Sequence, residues 1–170
     1  MIGIARSMRF LTKALTDECS PEQIALGCSI GIMLGLVPKG NLTAVVLLAL
    51  LFLLRVNILA GLLSAAICTC VGLLCTFWLD WFGEQILAIE SLQSVYAWMY
   101  EAPVIPWTDF NNTVTAGGFV VGLFLVFPTY RILTGYFGRN LATWSKSARS
   151  FELGRALFGD DKELTSWRVG

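Results

Sequence analysis

From Ile24 to Leu79 the chain runs 56 residues with only two charged side chains, Lys39 and Arg55. A soluble domain of 170 residues has too little interior to bury such a stretch, so its solvent is expected to be lipid. A charge at the bilayer centre costs roughly 2.5–3.5 kcal/mol even on the lenient insertion scale, so the two cations need a reason to be there. The rest of the chain agrees: charged residues are 14% of the whole, against about 25% in an ordinary soluble domain. The net charge of zero favours no nucleic-acid partner.

The apolar stretch is punctuated. Ser20, Pro21 and Gln23 match a helix start in which Ser20 is the N-cap, Pro21 the first helical residue and Gln23 the returning side chain of a capping box. The run Ile24–Val37 follows and is broken by Pro38-Lys39-Gly40-Asn41. A second run, Leu42–Leu54, ends at Arg55-Val56-Asn57. These runs of 14 and 13 residues are short of the roughly 20 needed to span a bilayer, unless polar flanks extend them or the bilayer thins. Ile58–Leu79, with 22 uncharged residues, is long enough to span outright and closes on an aromatic belt of Phe77, Trp78, Trp81 and Phe82. Residues 80–113 carry acids and no Lys or Arg; Gln85–Tyr100 is expected as a surface helix and Ala102–Asn112 as an irregular loop. A last apolar segment runs from about Thr113 to Tyr130, with an interruption expected at Pro128.

Both flanks are amphipathic. Ile4, Met8, Leu11 and Leu15 share one helix face opposite Arg6, Arg9 and Lys13. Beyond Tyr130, Phe137, Leu141, Trp144, Ala148 and Phe151 share another, with Arg139 and Lys146 on the far side and a break expected near Gly154. Helices of this kind lie in the headgroup layer. The expected fold is an all-α integral membrane protein of about four short transmembrane or re-entrant helices plus two interfacial amphipathic helices. Its parts are an interfacial helix over 1–19, a membrane domain over 20–137 with an external acidic loop at 80–113, and a basic cytoplasmic tail over 138–170.

Seven cations follow Tyr130 and none lies in residues 80–113, so the positive-inside rule puts both termini in the cytoplasm and the acidic loop outside. An odd number of crossings must then precede Asp80. Either three helices cross, or 24–54 forms a re-entrant hairpin and only Ile58–Leu79 crosses; the cost of an irregular turn in lipid favours three.

Two residue sets stand out within this frame. Gly27, Gly31 and Gly35 repeat every four residues, and Gly118 and Gly122 do the same later, a spacing that lets helices approach closely. Each set precedes a proline, Pro38 or Pro128, an arrangement that can mark two halves around a binding site, though the second half has too few segments to mirror the first. Lys39, Asn41, Arg55 and Asn57 form a candidate binding set. Intramembrane ionisable groups are functional candidates by default, but a cation near a helix end can also snorkel to the interface. If Lys39 and Arg55 face a common cavity, they suit an anion such as a lipid phosphate.

Enzyme chemistry has little support. There is no His, no nucleophile motif, no phosphate loop and no paired intramembrane carboxylate. Four of the five cysteines lie in apolar segments, where Cys acts as a small hydrophobe, and no metal or cofactor is expected. The glycosylation-like triplets at Asn41 and Asn111 are read as chance occurrences of a short pattern.

The order Ser20-Pro21-Glu22-Gln23-Ile24-Ala25-Leu26-Gly27, Ile30-Gly31, Gly35-Leu36-Val37-Pro38 and Leu54-Arg55-Val56-Asn57 resembles a bacterial inner-membrane family of unknown function. That family carries an S-P-x-x-I-A-x-G start, a G-x-x-P turn and an R-x-N junction, and the likeness covers about residues 15–80. Many relatives have an N-P-x-T-like turn in the next helix, where this chain has Cys68-Thr69-Cys70. The resemblance implies a short inner-membrane protein. Some relatives are joined to glycosyltransferases acting on lipid-linked substrates, and stand-alone versions accompany a large envelope protein. No catalytic residue carries over. The expectation is therefore a non-enzymatic inner-membrane subunit that anchors or assists a larger envelope protein, in lipid handling or transfer, with oligomerisation open. The alternative is a small oligomeric transporter or channel for an anionic or lipid-phosphate substrate.

Overall fold

A computed structural model describes residues 20–157, and the side chains of residues 20–140. The described residues are helical, with no strand among them. The first interfacial helix expected from sequence lies outside them, as does Cys19.

Helix α1 (Pro21–Leu36) starts on the capping box. The Gln23 N–H donates to Ser20 Oγ at 3.3 Å and the Ser20 N–H donates to Gln23 Oε1 at 3.0 Å. It stops where proline forbids a helical residue before it: Val37 is extended ahead of Pro38, and Gly40 turns the chain with φ of 104°. Asn41 then caps α2 (Leu42–Leu53), and Asn57 caps α3 (Ile58–Leu74), each side chain accepting from the backbone N–H three residues on.

Ten of the sixteen residues of α1 are buried, which makes it the central helix. It packs against α3 and against the long C-terminal helix, with α2 more peripheral. Glycine sets the closeness of the contact with α3. A Cβ at Gly27 would fall 2.5 Å from the Asn57 carbonyl oxygen, at Gly31 2.9 Å from the Gly61 carbonyl carbon, and at Gly35 2.8 Å from the Ala65 carbonyl oxygen. The order of these partners shows that α1 and α3 run parallel, with α2 as the return. Two polar contacts join the helices: Ser64 Oγ donates to the Cys28 carbonyl at 3.1 Å, and Cys28 Sγ to the Ala60 carbonyl at 3.8 Å.

Ile58–Leu79 is not one straight segment. The helix breaks at Cys75, and α4 (Thr76–Leu87) leaves α3 at 82°. The Thr76 hydroxyl donates to the carbonyls of Gly72 (3.0 Å) and Leu73 (2.9 Å), competing with the backbone ladder at the bend. The expected surface helix over Gln85–Tyr100 is likewise divided: α4 ends at Leu87, a 3₁₀ turn occupies Glu90–Leu92, and α5 covers Gln93–Glu101. A second 3₁₀ turn, Ile105–Thr108, lies in what sequence reads as irregular loop.

Helix α6 (Thr113–Leu157) runs 45 residues without a break, through Pro128 and Gly154. Both expected interruptions are therefore absent, and the second amphipathic segment continues α6 rather than forming a separate helix. Proline removes one N–H but leaves the helix on either side free to continue when neighbouring turns hold it. α6 is antiparallel to α1, with Gly118 against Leu36 and Gly122 against Met33. The adjacent Gly117 faces α4, where a Cβ would reach 3.0 Å from the Leu79 carbonyl carbon, so consecutive glycines let α6 pass close to two helices at once.

Among the described residues, α6 over Thr113–Asn140 is long and apolar enough to cross a membrane; α3 and α4 pass that test only together, across their bend; α1 and α2 are shorter apolar helices.

Candidate functional site at the loop end

The helices define two ends. At one, Gln23 and Asn57 meet: the Asn57 N–H donates to the Gln23 carbonyl at 3.1 Å. At the other lie Lys39, Asn41, the start of α6 and the loop that joins α5 to it.

The four polar residues singled out by sequence divide between these ends. Lys39 and Asn41 precede α2, and Arg55 and Asn57 follow it, so a helix of 12 residues, about 18 Å, separates the pairs. Among the described residues Lys39 and Arg55 therefore do not come together around one anion, because the whole of α2 lies between them. Three of the four also have local work. The Lys39 ammonium donates to the carbonyls of Leu34 (2.5 Å), Val37 (2.6 Å) and Gly35 (3.3 Å), closing the C-terminus of α1. Asn57 is 5% exposed and holds the α2–α3 junction. Arg55 is exposed and has no hydrogen-bond or ion-pair partner among the described residues.

Asn41 belongs to a buried polar cluster that sequence did not assemble. Its Nδ2 donates to Thr115 Oγ1 at 3.4 Å, and Thr115 Oγ1 donates to Asp109 Oδ2 at 3.3 Å. Thr43 Oγ1 donates to the Thr108 carbonyl at 2.8 Å. Asn112 Oδ1 accepts from the Thr115 N–H at 3.2 Å and starts α6. Thr115 is 0% exposed and Asn41 and Thr43 are 8% and 7%, so this cluster ties α2, the loop and α6 together where water is largely excluded. Its sequence signals were Asn41, grouped there with Lys39, Arg55 and Asn57, and the density of Asn, Asp and Thr over 108–115; nothing local joined the two or pointed to Thr43, some seventy residues apart from that stretch.

Beside this cluster, α5 and the Ile105–Thr108 turn enclose an open cavity of about 290 Å³. Its walls are apolar and aromatic, from Leu87, Met99, Ile105 and Phe110, with Tyr96 and Gln93 among the polar groups. Both polar groups are anchored: the Tyr96 hydroxyl donates to the Ile86 carbonyl at 3.0 Å and Gln93 Nε2 to the Leu87 carbonyl at 2.7 Å. Cys28, Cys68, Cys70 and Cys75 are free thiols, and no group of three metal-ligating side chains forms among the described residues.

Comparison with known proteins places this arrangement in a family context. The profile of a family described as “Uncharacterized protein conserved in bacteria (DUF2062)” matches residues 7–146. An “Uncharacterized protein” of Treponema pallidum (strain Nichols) is 31% identical over 129 residues, which is 75% of this chain and 78% of that protein. No solved structure is similar.

Proposed function

The chain belongs to the DUF2062 family of uncharacterised bacterial proteins, and from that premise we propose that it is a non-enzymatic inner-membrane subunit that anchors or assists a larger envelope protein in lipid handling. The observation that carries the membrane part is the distribution of side chains. Small and polar residues such as Gly31, Ser29, Asn57 and Thr115 are inside, while Leu74, Leu53, Phe124 and Phe77 are 87%, 79%, 77% and 73% exposed. A water-soluble protein does not present such apolar surface, whereas lipid demands it.

On this reading α1, α2 and α3 are three crossings and α6 is the fourth. The end with Arg55, and beyond it Arg131 and Arg139, faces the cytoplasm, and the loop end with Asp80, Glu84, Glu90, Glu101 and Asp109 faces outward. The short α1–α3 require local thinning of the bilayer or snorkelling of flanking residues. The acidic loop, with its exposed Trp98, Tyr100 and Trp107, offers the surface for the larger protein. The transporter alternative would have Lys39 and Arg55 at the two ends of a path along α2 in an oligomer, not at one anion site.

Affinity purification of the full chain from native membranes, with bound proteins and lipids identified by mass spectrometry, tests the proposal. An envelope protein recovered in near-stoichiometric amount is expected. Recovery of this chain alone, together with anion flux through liposomes holding only it, would overturn the subunit reading in favour of transport.

A further inference from the structure

We propose that the cavity between α5 and the Ile105–Thr108 turn receives an apolar side chain from a Lys- or Arg-bearing segment of the partner's outward-facing part. This rests on the reading that the chain has a protein partner, and it adds where the partner docks and with what chemistry.

Three observations converge. The first is shape: a cavity of about 290 Å³ walled by Met99, Ile105 and Phe110 is of the size and polarity that takes one large apolar side chain. The second is the hydrogen-bond inventory. The Tyr96 hydroxyl has given its one proton to a backbone carbonyl, so its oxygen can only accept, and the amide oxygens of Gln93 and Asn111 on the same wall can accept as well, beside the N–H that each amide retains, so the wall has places for a ligand that brings donors. The third is charge. Every lining residue comes from the stretch 80–113, which carries Asp80, Glu84, Glu90, Glu101 and Asp109, so the loop that forms the cavity is net negative although no acid stands in its wall. No Lys or Arg occurs in residues 80–112, and the nearby Lys39 ammonium is engaged on the end of α1.

This combination separates a basic protein segment from a lipid. Anionic headgroups are repelled by an acidic loop, and an acyl chain brings no donors to the acceptors on the wall. Lysine or arginine beside an apolar anchor meets both, and the exposed rings of Tyr100 (69%) and Trp98 (64%) can add cation–π contact. Helix α5 itself has no buried residue and packs chiefly on the two 3₁₀ turns of its own loop, as expected for an element whose second partner is another molecule.

The test places a photo-crosslinking phenylalanine analogue at Tyr100 of the full chain in living cells, with a control at Leu53 near the opposite end. The linked tryptic peptide is then sequenced. An apolar residue flanked by Lys or Arg, from a protein that also co-purifies with the unlabelled chain, is the expected result. Glu90→Lys with Glu101→Lys should lower the Tyr100 yield about tenfold or more, because like charges across an interface cost at least that factor, while the amount of protein in the membrane fraction stays unchanged. Links to lipid only, links to a peptide without cations, or a yield indifferent to the charge reversal would each overturn the proposal. If a partner co-purifies but never links at Tyr100, this docking site fails and the subunit reading stands; if no partner co-purifies, the subunit reading itself fails.

Discussion

Single side chains in this protein act mainly by closing helix ends. Asn57 is almost fully buried, caps α3 through a 2.8 Å bond to the Ala60 N–H, and its backbone reaches Gln23. Asn57→Ala is expected to cost about 1–2 kcal/mol, the upper range for a lost N-cap, seen as a fall of several degrees in the detergent melting temperature. Lys39→Met should cost about 1 kcal/mol, because three carbonyls lose a cationic donor at the negative end of α1. Arg55 has no comparable attachment among the described residues, so Arg55→Lys should match the parent protein in both melting temperature and membrane yield, as snorkelling predicts. A clear loss in Arg55→Lys would instead indicate a planar, two-acceptor contact that Lys cannot make. The capping box at Ser20 was legible in the sequence because its partners are three residues apart; the Asn41–Thr115 contact was not, because 74 residues separate them.

Between elements, glycine decides how near the helices come. Gly31 lies against the Gly61 carbonyl and the Ser64 hydroxyl, so a side chain there must push α1 and α3 apart. Gly31→Leu is expected to destabilise by about 3 kcal/mol or more, beyond the usual cost of overpacking, since backbone cannot yield as a side chain does. Leu50→Ala, at a position 37% exposed, should change little. Size-exclusion profiles of the two variants in detergent separate the cases, and a normal profile for Gly31→Leu would mean that this face does not meet α3. The bend at Cys75 has its own test. Thr76→Val removes the hydroxyl that takes the Gly72 and Leu73 carbonyls, and should lengthen the distance between spin labels at Ile67 and Glu84 as α3 and α4 straighten. The apolar pattern of Ile58–Leu79 gave no hint of the bend, because lipid-facing residues continue on both sides of it and a threonine hydroxyl reads as neutral in a hydropathy window.

For the whole molecule, the orientation proposed here makes a firm demand. A reporter inserted near Asn111 should read external, and one fused after Gly170 cytoplasmic, because cations crowd the far end of α6 and are absent from 80–113. A cytoplasmic signal at Asn111 would remove the three crossings before the loop, and with them the outward docking surface.

What the sequence by itself determined is what depends on composition and near neighbours: helices rather than strands, the capped start at Ser20, the breaks at Pro38–Asn41 and Arg55–Asn57, and the lack of cations over 80–113. Those follow from hydrophobicity, capping chemistry and the cost of charge, all of which act within a few residues. Only the tertiary structure decided which helices touch. It set α1 parallel to α3, sent α6 unbroken through Pro128, parted Lys39 from Arg55, and gathered Asn41, Thr43, Asp109 and Thr115 at one end. These outcomes rest on contacts between residues tens of positions apart, where the absence of a side chain on one helix matters only because of what the other presents to it.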